Sequence, residues 1–200
     1  IVTGVQTCAL PILMDDLIVS AGAIAVVQTS LPAQAVYIAK ELLKNNVKAM
    51  EIAYRDLENL DGSDECIRAV RETVPEMLVG AATVTSPKLA RRAIKAGAQF
   101  ILSAGFNPKT VSYCVRKNFP VYPGIAVPGE IEQAMAFGLK LLKIFPVSVL
   151  GGTSYLKALS GPYPEVNFIV SGGLNAKNED EYRTMNNVAA VSGSYLCTGV

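Results

Sequence analysis

Eight short runs rich in aliphatic and β-branched residues recur along the chain at intervals of roughly twenty to thirty residues, most of them followed by a longer amphipathic stretch. The runs are AIAVVQ (23–28), VKAMEIA (47–53), MLVGAA (77–82), AQFILS (98–103), FPVYPG (119–124), LKLLKIF (139–145), VNFIVS (166–171) and VAAVSG (188–193). The stretches between them carry helix punctuation. PAQAVYIAKELLKNN places proline in a first turn, and SPKLARRAIKAGA opens on serine and proline and stops at Gly97. NPKTVSYCVRKN and VPGEIEQAMAFG repeat the pattern. Nearly continuous apolar strands joined by helices predict a parallel sheet covered on both faces. Eight of them in one domain favour a closed (β/α)8 (TIM) barrel over an open doubly wound sheet. The absence of GxGxxG after the first strand also weighs against a dinucleotide-binding fold.

The ends read differently. IVTGVQTCALPI (1–12) shows neither helical nor strand periodicity and resembles translated sequencing-adapter DNA, so it is expected to be a non-native leader, with the natural chain starting near Met14. GSYLCTGV follows the eighth run directly, so the single barrel domain expected over 13–200 lacks its final C-terminal helix.

Composition narrows the chemistry. The 200 residues are half hydrophobic and 18% charged, with a formal net charge of +1. That balance opposes disorder and gives no basic excess for nucleic acid. The apolar stretch near the start is interrupted by Asp15 and Asp16, which argues against a membrane span or signal peptide. Cys8, Cys66, Cys114 and Cys197 are scattered without metal-ligand spacing, as suits a reduced, cytoplasmic protein. There is no histidine. Ser-His-Asp and Cys-His catalysis and HExxH zinc sites are therefore excluded, leaving Lys, Glu, Asp, Tyr, Cys and Ser/Thr.

Barrel enzymes carry their active residues at the C-terminal ends of strands. Collecting those positions gives Glu51 and Arg55 from EIAYR, Thr83 from GAATV, and Lys143 with Pro146 from LKIFP. Lys143 shares a strand face with Leu141 and Phe145, and in a barrel neither face is wet. Burial disfavours an ammonium and favours the neutral amine that attacks carbonyls, while an ionised carboxylate close by would oppose this. Glu51 inside AMEIA is either a proton-transfer group or half of an ion pair with Arg55 or Lys143. Arg55 is either a solvated loop charge or a fork for a substrate carboxylate. SGGLN (171–175) and SGSYL (192–196) expose backbone N–H groups after the last two strands, where barrels hold phosphate; the plainer reading is two tight turns.

These segments, with YPGIAVPGEI and LKALSGPYP, resemble in order and spacing the class I aldolases of 2-keto-3-deoxy-6-phosphogluconate (KDPG), with 4-hydroxy-2-oxoglutarate (KHG) as a related substrate. The resemblance runs from about Val26 to Leu196. It implies a Schiff base at Lys143, general acid/base work by Glu51, and a pyruvate carboxylate held by Arg55 and Thr83 beside Pro146. It also implies a distal phosphate held around Ser171, Gly172, Gly173, Gly193 and Ser194. Products would be pyruvate and glyceraldehyde 3-phosphate, with no metal or other cofactor, no nucleic-acid or membrane partner, and a homotrimeric assembly. Departures from the family pattern are Ala53 and Tyr54 (Thr and Leu are usual), which would reshape the pocket floor, Ala104 (proline), Val127 (threonine), Val147 and Ser148 (Ala-Glu), and Ser171 (threonine). The alternatives are a galactonate-configured substrate, a phosphate-binding barrel of another class (an isomerase or a thiamine-phosphate-synthase-like transferase), and an inactive truncated homologue.

Overall fold

The structure, a computed structural model, describes residues 11–199. Its strands are β1 (Ala23–Val27), β2 (Ala49–Ala53), β3 (Leu78–Ala82), β4 (Ile101–Leu102), β5 (Val121–Tyr122), β6 (Gly124–Ile125), β7 (Leu141–Ile144), β8 (Asn167–Ser171) and β9 (Val188–Gly193). All pair in parallel, in the order β5-β4-β3-β2-β1-β9-β8-β7-β6. The two ends of that order are consecutive in the chain. Pro123 has no N–H to give a ladder, so the single strand expected over 119–124 is divided into β5 and β6. Its carbonyl still accepts from Lys143 N, and Pro120 O accepts from Ile101 N, so the segment bridges β4 and β7. The result is an eight-stranded (β/α)8 barrel.

Helices α1 (Pro11–Ala21), α2 (Pro32–Lys44), α3 (Leu60–Thr73), α4 (Pro87–Ala96), α5 (Pro108–Arg116), α6 (Pro128–Ala136), α7 (Gly152–Ser160) and α8 (Glu179–Arg183) accompany the strands. The four helices expected from punctuation form α2, α4, α5 and α6, each with proline in its first turn. Ser86 and Asn107 cap α4 and α5 with their side chains, and Gly97 ends α4 in the left-handed region at φ 101°. The expected leader lies outside the described residues up to position 10, and α1, which local periodicity did not predict, starts at Pro11.

Two apolar clusters follow from strand alternation. Outward residues such as Met50, Ile52, Val79, Leu142, Ile144 and Phe168 pack under the helices. The inner cluster joins Ile24, Ala49, Phe100, Leu102, Leu141 and Ile169 to Met14 and Ile18 of α1. Thus α1 stops the N-terminal mouth of the barrel with two fully buried side chains. Gly80 leaves room inside: a Cβ there would collide with the Phe100 ring.

Tyr54 lies in the outer cluster, so its side chain does not form the pocket floor expected of it. Its hydroxyl donates to Asp64 Oδ1 of α3 at 2.7 Å, and Asp64 Oδ2 lies 2.8 Å from Arg92 Nε of α4. This buried network ties the end of β2 to two helices. Tyr54→Phe would remove the donor to a buried carboxyl, an expected loss of about 1–3 kcal/mol. The check is a thermal melt, in which a chain of this length should unfold several degrees lower.

Burial pushes the Cys66 thiol up to about 11 and the Cys114 thiol up to about 12, from an ordinary value of 9.0. The folded chain therefore keeps protons that the unfolded chain releases. Their contribution to stability is complete below pH 9 and is lost as pH rises through 9 towards 11–12. Iodoacetamide at pH 8 is expected to spare both cysteines in the native protein and to label both in urea, read by peptide mapping.

Candidate active site

β2 and β7 face each other across the barrel interior. The residues at 49, 51 and 53 of β2, and at 141 and 143 of β7, point inward by alternation. Lys143 is 6% exposed and Glu51 fully buried. Lys143 Nζ donates to Glu51 Oε1 at 3.4 Å and lies 5.9 Å from the centroid of the Phe145 ring. Of the two ion-pair partners considered for Glu51, the structure brings it to Lys143.

Ser192 Oγ donates to the same Glu51 oxygen at 3.3 Å. The other oxygen, Oε2, is buried without a hydrogen-bond partner. A buried carboxylate oxygen in that state costs free energy unless something transient uses it.

Above this pair opens a cavity of about 230 Å³. Arg55, Ser171, Gly172, Gly173, Gly193 and Ser194 line it, as do Val26, Gln28, Phe145, Leu174 and Ser192. Phe145 and Ser192 connect the cavity to the pair, since each touches Lys143 or Glu51. Arg55 Nε donates to Thr83 Oγ1 at 3.4 Å and its Nη1 to Gln28 Oε1 at 3.3 Å. Thr83 reaches this position with φ 59°, a left-handed conformation that a β-branched residue rarely adopts. It stands at the C-terminal end of β3, where strain is often kept for function.

Gly172 and Gly173 have φ of 94° and 85°. A Cβ on Gly172 would come within 2.7 Å of Pro146 Cα, and one on Gly173 would strike Ser148 Oγ. Both positions therefore require glycine, and they bring the expected Pro146 and the variant Ser148 against this turn. The amides of Gly173 and Leu174 find no protein acceptor among the described residues, leaving two donors at the cavity wall.

All the expected site residues thus gather at one end of the barrel: Lys143 and Glu51 below, Thr83 and Pro146 beside, and the other six around the cavity. Sequence reading missed Gln28 and Ser192. Ser192 stood in the quoted SGS turn, and its inward position two residues beyond Ala190 was the available signal. Val127 heads α6 without a side-chain cap, and Glu130 Oε2 instead accepts from Ala126 N at 2.7 Å. Ala53, just above Glu51, and Ser171, on the cavity wall, are departures that alternation turns inward.

Comparison with known proteins identifies the family. The family model described as KDPG and KHG aldolase matches residues 14–199. The chain is 40% identical over 162 residues to the 2-dehydro-3-deoxy-phosphogluconate aldolase of Treponema pallidum (strain Nichols), covering 81% of this chain and 75% of that protein. It is 34% identical over 162 residues to the KHG/KDPG aldolase of Escherichia coli (strain K12), covering 81% and 74%. Among solved structures, the KDPG aldolase of Legionella pneumophila, with pyruvate captured as a covalent carbinolamine, superposes with a TM-score of 0.84 at 30% identity, covering 90% of this chain and 86% of that one. Barrel and relatives together define a class I aldolase, a carbon–carbon lyase. The chain belongs to the KDPG and KHG aldolase family.

Proposed function

We propose that the chain cleaves 2-keto-3-deoxy-6-phosphogluconate to pyruvate and glyceraldehyde 3-phosphate through an imine on Lys143. The observation that carries this reading is the 3.4 Å contact between Lys143 Nζ and Glu51 Oε1, buried on the inner barrel wall beneath the cavity. The neutral amine of Lys143 adds to the C2 carbonyl, and Glu51 moves protons as the carbinolamine loses water to give a protonated imine. Removal of the C4 hydroxyl proton then breaks the C3–C4 bond. The electron pair passes into the imine as an enamine, and the aldehyde leaves. Protonation at C3 and hydrolysis release pyruvate and restore the amine. The imine is the electron sink, so the proposal needs no metal.

The partnerless Glu51 Oε2 supports Glu51 as the proton carrier. Arg55, fixed by Thr83 and Gln28, presents a guanidinium to the substrate carboxylate. The free amides of the Ser171–Leu174 turn, with Gly193 and Ser194, suit the phosphate. 4-Hydroxy-2-oxoglutarate, yielding pyruvate and glyoxylate, is a second substrate, in keeping with the name of the Escherichia coli relative. A homotrimer working in the cytoplasm completes the proposal.

Borohydride reduction in the presence of pyruvate tests it. A stable adduct is expected on Lys143 by peptide mapping. A folded sample without an adduct, or with one on another lysine, would favour an inactive homologue or a barrel of another class.

A further inference from the structure

A second concavity lies at the opposite end of the barrel, where α3, α4 and α5 run out towards the strand starts. Arg71, Arg91, Lys95 and Lys117 rim a cavity of about 510 Å³ walled by Tyr113 and Phe119. That volume is in the range that encloses small organic molecules. No carboxylate lines it, and none of the four cations takes part in an ion pair among the described residues.

In a chain whose net charge is only +1, four unopposed cations around one hollow are a local concentration. Cations in the last turn of a helix complement its dipole, which accounts for Arg71 on α3 and Lys95 on α4. It does not account for Arg91, at the middle of α4, whose guanidinium sits 5.7 Å from the centroid of the Tyr113 ring. Nor does it explain why Arg71 Nε is buried with no partner. A buried donor and a stacked guanidinium beside an apolar wall match an anion carried on a flat apolar body.

We propose that this cavity is a second, non-catalytic binding site for a small organic anion with an aromatic or similarly flat body and a phosphate or carboxylate group. Its position among the loops that precede the strands separates it from the catalytic end, which is built from the loops that follow them.

Calorimetric titration of the full chain with 1-naphthyl phosphate tests the site. One saturable event per chain is expected. It should weaken at least tenfold in Arg91→Gln and in Arg71→Gln, and at least tenfold when 1-naphthol or inorganic phosphate replaces the probe. Aldol cleavage should be unchanged in both variants. Arg91 is exposed, so Arg91→Gln combined with Lys117→Gln carries the test if Arg71→Gln does not fold. Binding that survives these substitutions, or no saturable binding up to millimolar probe, would overturn the proposal.

Discussion

Lys143→Arg is expected to abolish borohydride trapping of pyruvate and to lower turnover by roughly 10⁴-fold or more, the scale on which loss of a covalent nucleophile falls. The guanidinium stays charged at any working pH and cannot form the imine. Arginine sets a positive charge beside Glu51, so the carboxylate is not left unpaired on the inner wall and the variant should fold. Circular dichroism and a thermal melt establish that it has folded, and a coupled assay of pyruvate release gives the rate. Retained turnover in a folded Lys143→Arg protein would remove Lys143 from the chemistry and leave its contact with Glu51 as a structural ion pair.

Glu51→Gln should separate proton transfer from carbonyl capture. The amide is close in shape to the carboxylate and can still accept from Ser192 Oγ, which lies 3.3 Å from Glu51 Oε1. It cannot carry a proton between carbinolamine, imine and water. A fall in kcat of about 10²–10⁴ is expected, the usual contribution of a positioned acid/base group. The lysine remains, so pyruvate should still be trapped on Lys143, more slowly. Normal turnover in this variant would assign the proton shuttle to another group, and the partnerless Glu51 Oε2 would need a different explanation.

The remaining family departures divide by where their side chains point. Tyr54 turned out to serve the layer between the sheet and its helices, donating to Asp64, so its effect is expected on stability. Ser148 lies against Gly173, Ala53 lies above Glu51 and Ser171 lines the cavity, so all three adjoin the substrate path. These three positions are the ones to exchange when substrate preference is examined.

Much of the barrel was legible because its signals are local. Runs such as LVGAA and NFIVS declare buried parallel strands by composition, and proline or serine before the next apolar period declares a helix start. Period-two alternation then puts Lys143 on one face with Leu141, from the sequence alone. Two features of the frame escaped. The α1 plug has no amphipathic stripe, because Met14 and Ile18 are buried while Leu13 and Leu17 are exposed. The break at Pro123 looked like a strand interior until its neighbours showed that it lies at the closing seam.

The sequence by itself determined the (β/α)8 class, the exclusion of histidine chemistry and the strand face that the lysine shares with Leu141, since each depends only on residue identity and short-range period. Tertiary structure alone decided that Lys143 meets Glu51, 92 positions away, that Ser192, 141 positions from Glu51, bonds the same carboxylate oxygen, and that Tyr54 turns outward. Sheet closure is the reason: the stagger between strands sets which inward side chains share a layer, and separation along the chain carries no record of that stagger.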